Sequence, residues 1–157
     1  MKTPAFVSLL IFLSLSGCYP ASMSSSSDLS IPRDANTILI SNARTRDDLY
    51  REVSSMLFQN GIGITYSDRD LGQITAGPGS FKNGNFILTI MLSDGSVLIR
   101  GKWSWNLTVT MSGVSTSPSD YDDIEYGGMS DSPKLNAWNA MQKIALQIPG
   151  KVEYLIK

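Results

Sequence analysis

The chain has 157 residues, 42% hydrophobic and 17% charged, which is enough apolar material for one folded domain of ordinary size. Its 13 basic and 14 acidic side chains leave a formal charge of -1, so no net field draws it to phosphate backbones or anionic lipid, and nucleic acid is not an expected partner. There is no histidine, which removes the usual general base near neutral pH and the commonest metal ligand, and the single cysteine rules out an intrachain disulfide.

Residues 1 to 17 read as a targeting signal. Lys2 supplies the positive end, and residues 5 to 15 form an apolar run too short to span a bilayer comfortably. The run closes on Leu15-Ser16-Gly17-Cys18, which resembles the lipobox of bacterial lipoproteins. That resemblance implies a diacylglycerol on the Cys18 thiol, cleavage before Cys18, and N-acylation of the new amine. The chemistry needs a thiol to accept the lipid, small residues to admit the peptidase, and an apolar run to present both. Two or three acyl chains anchor durably, where one binds only marginally. Tyr19 in place of an aspartate implies, by the sorting rule of double-membraned bacteria, an outer-membrane address facing the periplasm; in a single-membrane host the address is the cell membrane. Residues 18 to 35 are rich in serine and lack apolar periodicity, so they are expected to be a tether, with a reach of about 25 Å as a random coil.

The folded domain is expected over 36 to 157. ThrIleLeuIleSer (37 to 41) is β-branched and bounded by turn formers, which predicts a strand. A helix follows, capped by Thr45 with Asp47 and Asp48 in its first turn, burying Leu49, Val53, Met56 and Leu57 and stopping at Asn60-Gly61. Arg44, Arg46, Arg51 and Glu52 fall on its polar, solvated side. Residues 62 to 66 and 73 to 77 are expected to form a hairpin. Pairing Ser67 with Gln73 sets Tyr66 opposite Ile74 and Ile64 opposite Ala76, all on one face. Its turn, with Asp68, Asp70 and Gly72, has too few carboxylates for a calcium loop.

A second hairpin joins 86 to 92 to a long strand over 97 to 111 through Asp94-Gly95, a favoured two-residue turn. Pairing Ser93 with Ser96 places Leu92 on Val97, Ile90 on Ile99, Leu88 on Gly101 and Phe86 on Trp103, so turn chemistry and hydrophobic pattern select one register. Trp105, Leu107, Val109 and Met111 continue the buried side, with Arg100, Lys102 and Ser104 facing outward. The paired tryptophans are read as core in preference to a ligand platform.

Residues 112 to 131 break the pattern with five acidic residues, two tyrosines, three glycines and no basic residue. A loop of this length in a compact domain is either functional or a solvated excursion. The candidate contact residues are Asp120, Tyr121, Asp122, Asp123, Glu125 and Tyr126. After Ser132 and Pro133, a helix presents Leu135, Trp138, Met141, Ile144, Ala145 and Ile148 as one apolar stripe and ends at Pro149-Gly150. Residues 152 to 156 read as an edge strand or a further helical turn.

Together these elements predict an α+β fold: an antiparallel sheet of four to five strands with two amphipathic helices on one face. The order, and the stretch from Asp48 to Ala76 in which a helix ends in glycine before a strand and an acidic turn, resembles small envelope lipoprotein domains of the TATA-binding-protein-like or helix-grip type. That resemblance brings no catalytic residues and implies a noncatalytic module. The functional expectation is a lipid-anchored binding or assembly module that meets another envelope protein. It has no cofactor beyond the lipid on Cys18, no metal and no small-molecule substrate. The alternative from another class is a metal-dependent enzyme or cation-binding protein using the acidic loop 119 to 131.

Overall fold

A computed structural model of the chain describes residues 30 to 105, 109 to 111, 114 to 116 and 120 to 157. The elements run β1 (Thr37–Ser41), α1 (Arg46–Gln59), β2 (Ile64–Asp68), β3 (Gln73–Phe81), β4 (Gly84–Ser93), β5 (Ser96–Trp105), β6 (Val109–Met111), β7 (Val114–Thr116), β8 (Asp122–Asp123), α2 (Pro133–Ala145) and β9 (Lys151–Leu155). The fold is α+β. Its main sheet is antiparallel in the order β2-β3-β4-β5-β1-β9, with β8 as a seventh strand beside β5, so it is larger than the four to five strands expected. β6 and β7 pair separately.

The sheet is built around a row of isoleucines. Ile74 pairs with Ile90, Ile90 with Ile99 and Ile99 with Ile38, and all four are completely buried. Alternation in each strand puts Ile40, Val97, Leu92, Leu88 and Ala76 on the same face, and both helices lie against it. α1 turns in Leu49, Val53, Met56 and Leu57, while α2 turns in Ala137, Trp138, Met141, Ile144 and Ala145. Fully burying one such aliphatic side chain contributes about 1.5–3 kcal/mol.

Both helix starts follow from their sequence. Thr45 and Ser132 each accept a hydrogen bond from the third residue onward, Asp48 N–H and Leu135 N–H. α1 ends in a Schellman turn: Ile62 N–H donates to Leu57 O and Gly61 N–H to Phe58 O, with Gly61 at φ +70° and buried Ile62 closing against Leu57. The β4–β5 ladder keeps the expected register over its whole length, from Ser93↔Ser96 to Phe86↔Trp103. Residues 151 to 155 form an edge strand, β9, antiparallel to β1.

Several expectations are corrected, and one of them is the end of α2, which stops at Ala145 instead of at Pro149-Gly150. In the first hairpin Asp68, not Ser67, faces Gln73, so Tyr66 faces Thr75, and a bulge between Ile64 and Tyr66 restores Ile64↔Ala76. The reason is local: Asp68 Oδ1 accepts Leu71 N–H at 2.9 Å, so the turn begins one residue later and is one residue shorter. β2 is the sheet's edge, and its Ile64 and Tyr66 are 41% and 51% exposed instead of sharing the core face.

The long strand over 97 to 111 divides, because β5 ends at Trp105 and β6 turns to pair with β7. Trp105 is 40% exposed, tilted against buried Trp103 at 6.1 Å, while Ser104, expected outside, is buried. The side chains of Leu107, Val109 and Met111 lie outside the described residues. β3 runs on to Phe81 and joins β4 by a two-residue turn at Lys82-Asn83, so the two expected hairpins are one meander. Finally, Ala35, on the tether side of the boundary expected at 36, is fully buried and Ile31 packs on the core.

Candidate functional site

Residues 120 to 126 run along the sheet as an extended strip. β1 covers only the first half of β5, from Ser96 to Ile99. β8 takes the rest of that edge, pairing Asp123 with Lys102 and Asp122 with Trp103, and Ile124 N–H donates to Gly101 O at 2.9 Å. Ile124 is completely buried over Gly101, where an added Cβ would stand 2.6 Å from its Cδ1. The absence of a side chain at 101 is what lets this strip lie down.

The strip is also tied at its far end. Tyr126 N–H donates to Ala35 O at 2.7 Å and Asp34 N–H to Tyr126 O at 2.8 Å, while the Tyr126 ring packs on Trp138 at 5.7 Å. Backbone hydrogen bonds therefore hold this segment to β5 on one side and to residues 34 and 35 on the other.

An extended backbone sends alternate side chains in opposite directions, so the carboxylates do not converge. Asp123 reaches Lys102 at 3.8 Å, Glu125 reaches Lys134 at 2.6 Å, and Asp131 reaches Lys82 at 3.7 Å. The basic partners missing from the local sequence come from β5, α2 and the β3–β4 turn. Asp120, Tyr121 and Asp122 stay exposed at the margin of the sheet, and neither aspartate has an ion-pair partner among the described residues. No group of three or more aspartates, glutamates or cysteines among the described residues is placed to hold a metal ion. The acidic turn of the first hairpin is likewise used structurally: Asp68 closes it, and Asp70 offers its carbonyl to Arg46 Nη1 at 2.7 Å.

On α1, the side expected to be solvated carries ion pairs. Arg44 meets Glu52, and Asp47 binds Arg69 of the β2–β3 turn through two hydrogen bonds of 3.2 and 3.0 Å. The Arg69 guanidinium, by hydrogen bond and charge, holds the Asp47 carboxyl below the usual carboxylate range. Asp47 in turn raises Arg69.

Cavities among the described residues include three at the surface. One of about 530 Å³ lies by Arg33, Tyr126 and Met129, and one of about 100 Å³ by Asn36, Arg100 and Lys157. The third, about 310 Å³, is a cleft between the end of α1, the C-terminal half of α2 and the irregular stretch of β3, where pairing shifts between Ala76 and Gly79. Sequence reasoning did not point to it, because its walls come from segments far apart in the chain. The one local sign was Lys143, a cation in the helix that also carries the apolar stripe.

Leu15, Ser16, Gly17 and Cys18 lie outside the described residues. No family model matches the chain, and no curated protein or solved structure matches it either.

Proposed function

We propose that the chain is a lipid-anchored bacterial envelope lipoprotein whose α+β domain is a noncatalytic binding or assembly module facing the periplasm, at the outer membrane of a double-membraned host. The observation that carries this reading is Leu15-Ser16-Gly17-Cys18 at the end of a short apolar run, followed by serine-rich sequence. The reading assigns diacylglycerol and an N-acyl chain to Cys18, and it assigns no catalytic residue. No helix among the described residues is long and apolar enough to cross a membrane.

Contact is favoured over catalysis along 120 to 126. Two of the four carboxylates are matched to lysines, and the exposed remainder, Asp120, Tyr121 and Asp122, offers charge beside an aromatic ring, which suits a basic protein surface. For fold type, the way α2 lies across β1, β3, β4 and β5 supports the helix-grip or TATA-binding-protein-like reading.

The anchor is tested by Cys18→Ala. The variant is expected to lose acyl labelling and to leave the detergent phase, and wild-type partitioning would refute the lipid assignment. The contact surface is tested by recovering partners from envelope extract with Asp120→Asn/Asp122→Asn. Undiminished recovery would remove the acidic margin from the proposal.

A further inference from the structure

The main path of the sheet ends in β2 on one side and β9 on the other, and the two edges are finished differently. β9 carries Lys151 and Glu153, paired at 2.9 Å, and such charges discourage the addition of another strand. β2 reads IleThrTyrSerAsp, with no lysine, arginine or proline, and four of its five residues are exposed. Its outer row of backbone N–H and C=O groups faces no further strand among the described residues.

The apolar side chains of this edge define the shape of what it accepts. Ile64 pairs with the core-face residue Ala76, so it lies on the side of the helices, whereas Tyr66 pairs with Thr75 and lies on the opposite face. A globular surface resting on either face would cover one of them and leave the other in water. A strand added in the plane of the sheet runs beside both, and it satisfies the backbone row as well.

The edge is also complementary to itself. Antiparallel pairing with β2 of a second copy, across a two-fold axis near Tyr66, sets the start of each strand against the end of the other. Phe58 and Ile64 stand exposed at the start and Leu71 at the end, so apolar side chains meet twice. Charge matches too. Lys143 of α2 lies beside Gly61 and Ile62 at the start, and Asp70 lies at the end, in a turn whose carbonyl at 70 is held by Arg46 of α1 on the side of the helices. Neither Lys143 nor Asp70 has an ion-pair partner among the described residues, and the two-fold axis brings each toward the other in the second copy. Asp68 and Asp70 face the stretch around Gly61 and Gly63 of that copy, so no carboxylate opposes another.

We infer that two copies of the chain pair through β2, joining their main sheets into one continuous sheet with both sets of helices on the same side. β2 is short and bulged, so the new ladder is brief and the association reversible. The pairing uses neither Cys18 nor residues 120 to 126, and it sets two copies of the acidic margin in one particle.

The test is sedimentation equilibrium of the intact chain in density-matched detergent, over about a hundredfold range of concentration. A monomer–dimer equilibrium is expected, with the mass approaching two chains at the upper end. Ile64→Lys and Tyr66→Lys, at exposed sites, should each weaken the dimer by about tenfold or more and leave the melting temperature of the dilute protein unchanged. Ile156→Lys, at an exposed apolar site beyond β9, should leave the dimer as it is. Asp70→Lys should weaken association, and Asp70→Lys/Lys143→Asp should restore it.

The mass of a single chain at every concentration overturns the proposal. So does a dimer indifferent to Ile64→Lys and Tyr66→Lys, or one that the charge exchange fails to restore. Mass growing beyond two chains would show open-ended strand addition and would overturn the closed pair.

Discussion

Truncating Ile124 to alanine isolates what holds the acidic strip on the sheet. The side chain is fully buried over Gly101, and Ile124→Ala removes three carbons, about 2.4 kcal/mol at about 0.8 kcal/mol each. Incomplete relaxation would add a cavity cost, within the range of about 2–5 kcal/mol for such changes. Because the strip lies at a margin and can settle toward the bare backbone of Gly101, the expected loss is about 2–3 kcal/mol. For a domain of this size that is a fall in melting temperature of roughly 8–12 °C. In urea the midpoint should fall with an unchanged slope, and the amides of Ile124 and Tyr126, bonded to Gly101 O and Ala35 O, should exchange faster.

A loss under about 1 kcal/mol would refute the packing account. The partner substitution sharpens the test. Gly101→Ala places a methyl 2.6 Å from Ile124 Cδ1, 3.1 Å from Leu88 Cδ2 and 3.2 Å from Ile87 O. Overpacking of this kind costs about 1–3 kcal/mol, partly offset by about 0.4–1 kcal/mol from a less flexible unfolded chain. With Ile124 already truncated, the nearest clash is gone and the methyl enters vacated space. The double variant should therefore be more stable than the sum of the singles by about 1–2 kcal/mol, and additivity within about 0.5 kcal/mol would sink the assignment of Gly101 as the seat of Ile124.

Other outcomes follow from single positions. Gly61 sits at φ +70° in the Schellman turn, so Gly61→Ala should cost about 1 kcal/mol. Gly63 has ordinary φ and open space where a Cβ would go, so Gly63→Ala should be neutral or stabilising by up to about 1 kcal/mol in the same melt. Asp47 is held below its ordinary pKa by Arg69, so its charged form favours the fold: the contribution is present above the usual carboxylate range and lost as pH falls through the lowered value. Asp47→Asn should differ from wild type near neutral pH, converge with it in acid, and differ less at high salt because the pair is exposed. A difference that grows on acidification would contradict the assignment. Trimming Tyr126 to leucine should loosen the segment around Asp34 and Ala35, seen as faster exchange of the Asp34 amide bonded to Tyr126 O; unchanged protection there would show that the ring against Trp138 has no part in holding it.

Much of the fold was legible because its signals are local and mutually consistent. Asp94-Gly95 and the alternation on either side of it specify the same β4–β5 register, and Thr45, Ser132, Pro133 and Gly61 mark helix ends through hydrogen bonds made within a few residues. The misreadings share another cause. Ile64 and Tyr66 alternate like buried residues, but whether a strand's apolar side meets a helix depends on its place in the sheet, and β2 lies at the edge. Trp105 carries the same pattern as Trp103 two residues on, yet burial ends between them.

The acidic segment shows the division most clearly. Its composition announced an unusual stretch, and its sequence contains Ile124 and Tyr126 at strand spacing, but the sequence alone suggests Tyr126 as a contact residue and gives Ile124 no role. Only the packed molecule gave Ile124 a seat on Gly101, matched Asp123 and Glu125 with Lys102 and Lys134, and left Asp120 and Asp122 outside. The cleft is the same case, because Ile62, Ser80, Phe86 and Lys143 meet through long-range contacts alone.

By itself the sequence determined the chemistry of Cys18 to be tested, the α+β class, the helix starts, the end of α1 and the central register, since each rests on residues that interact with near neighbours. Tertiary structure alone decided which strands are edges, where the acidic side chains find partners and where a cleft opens, since each depends on which distant segments share a surface.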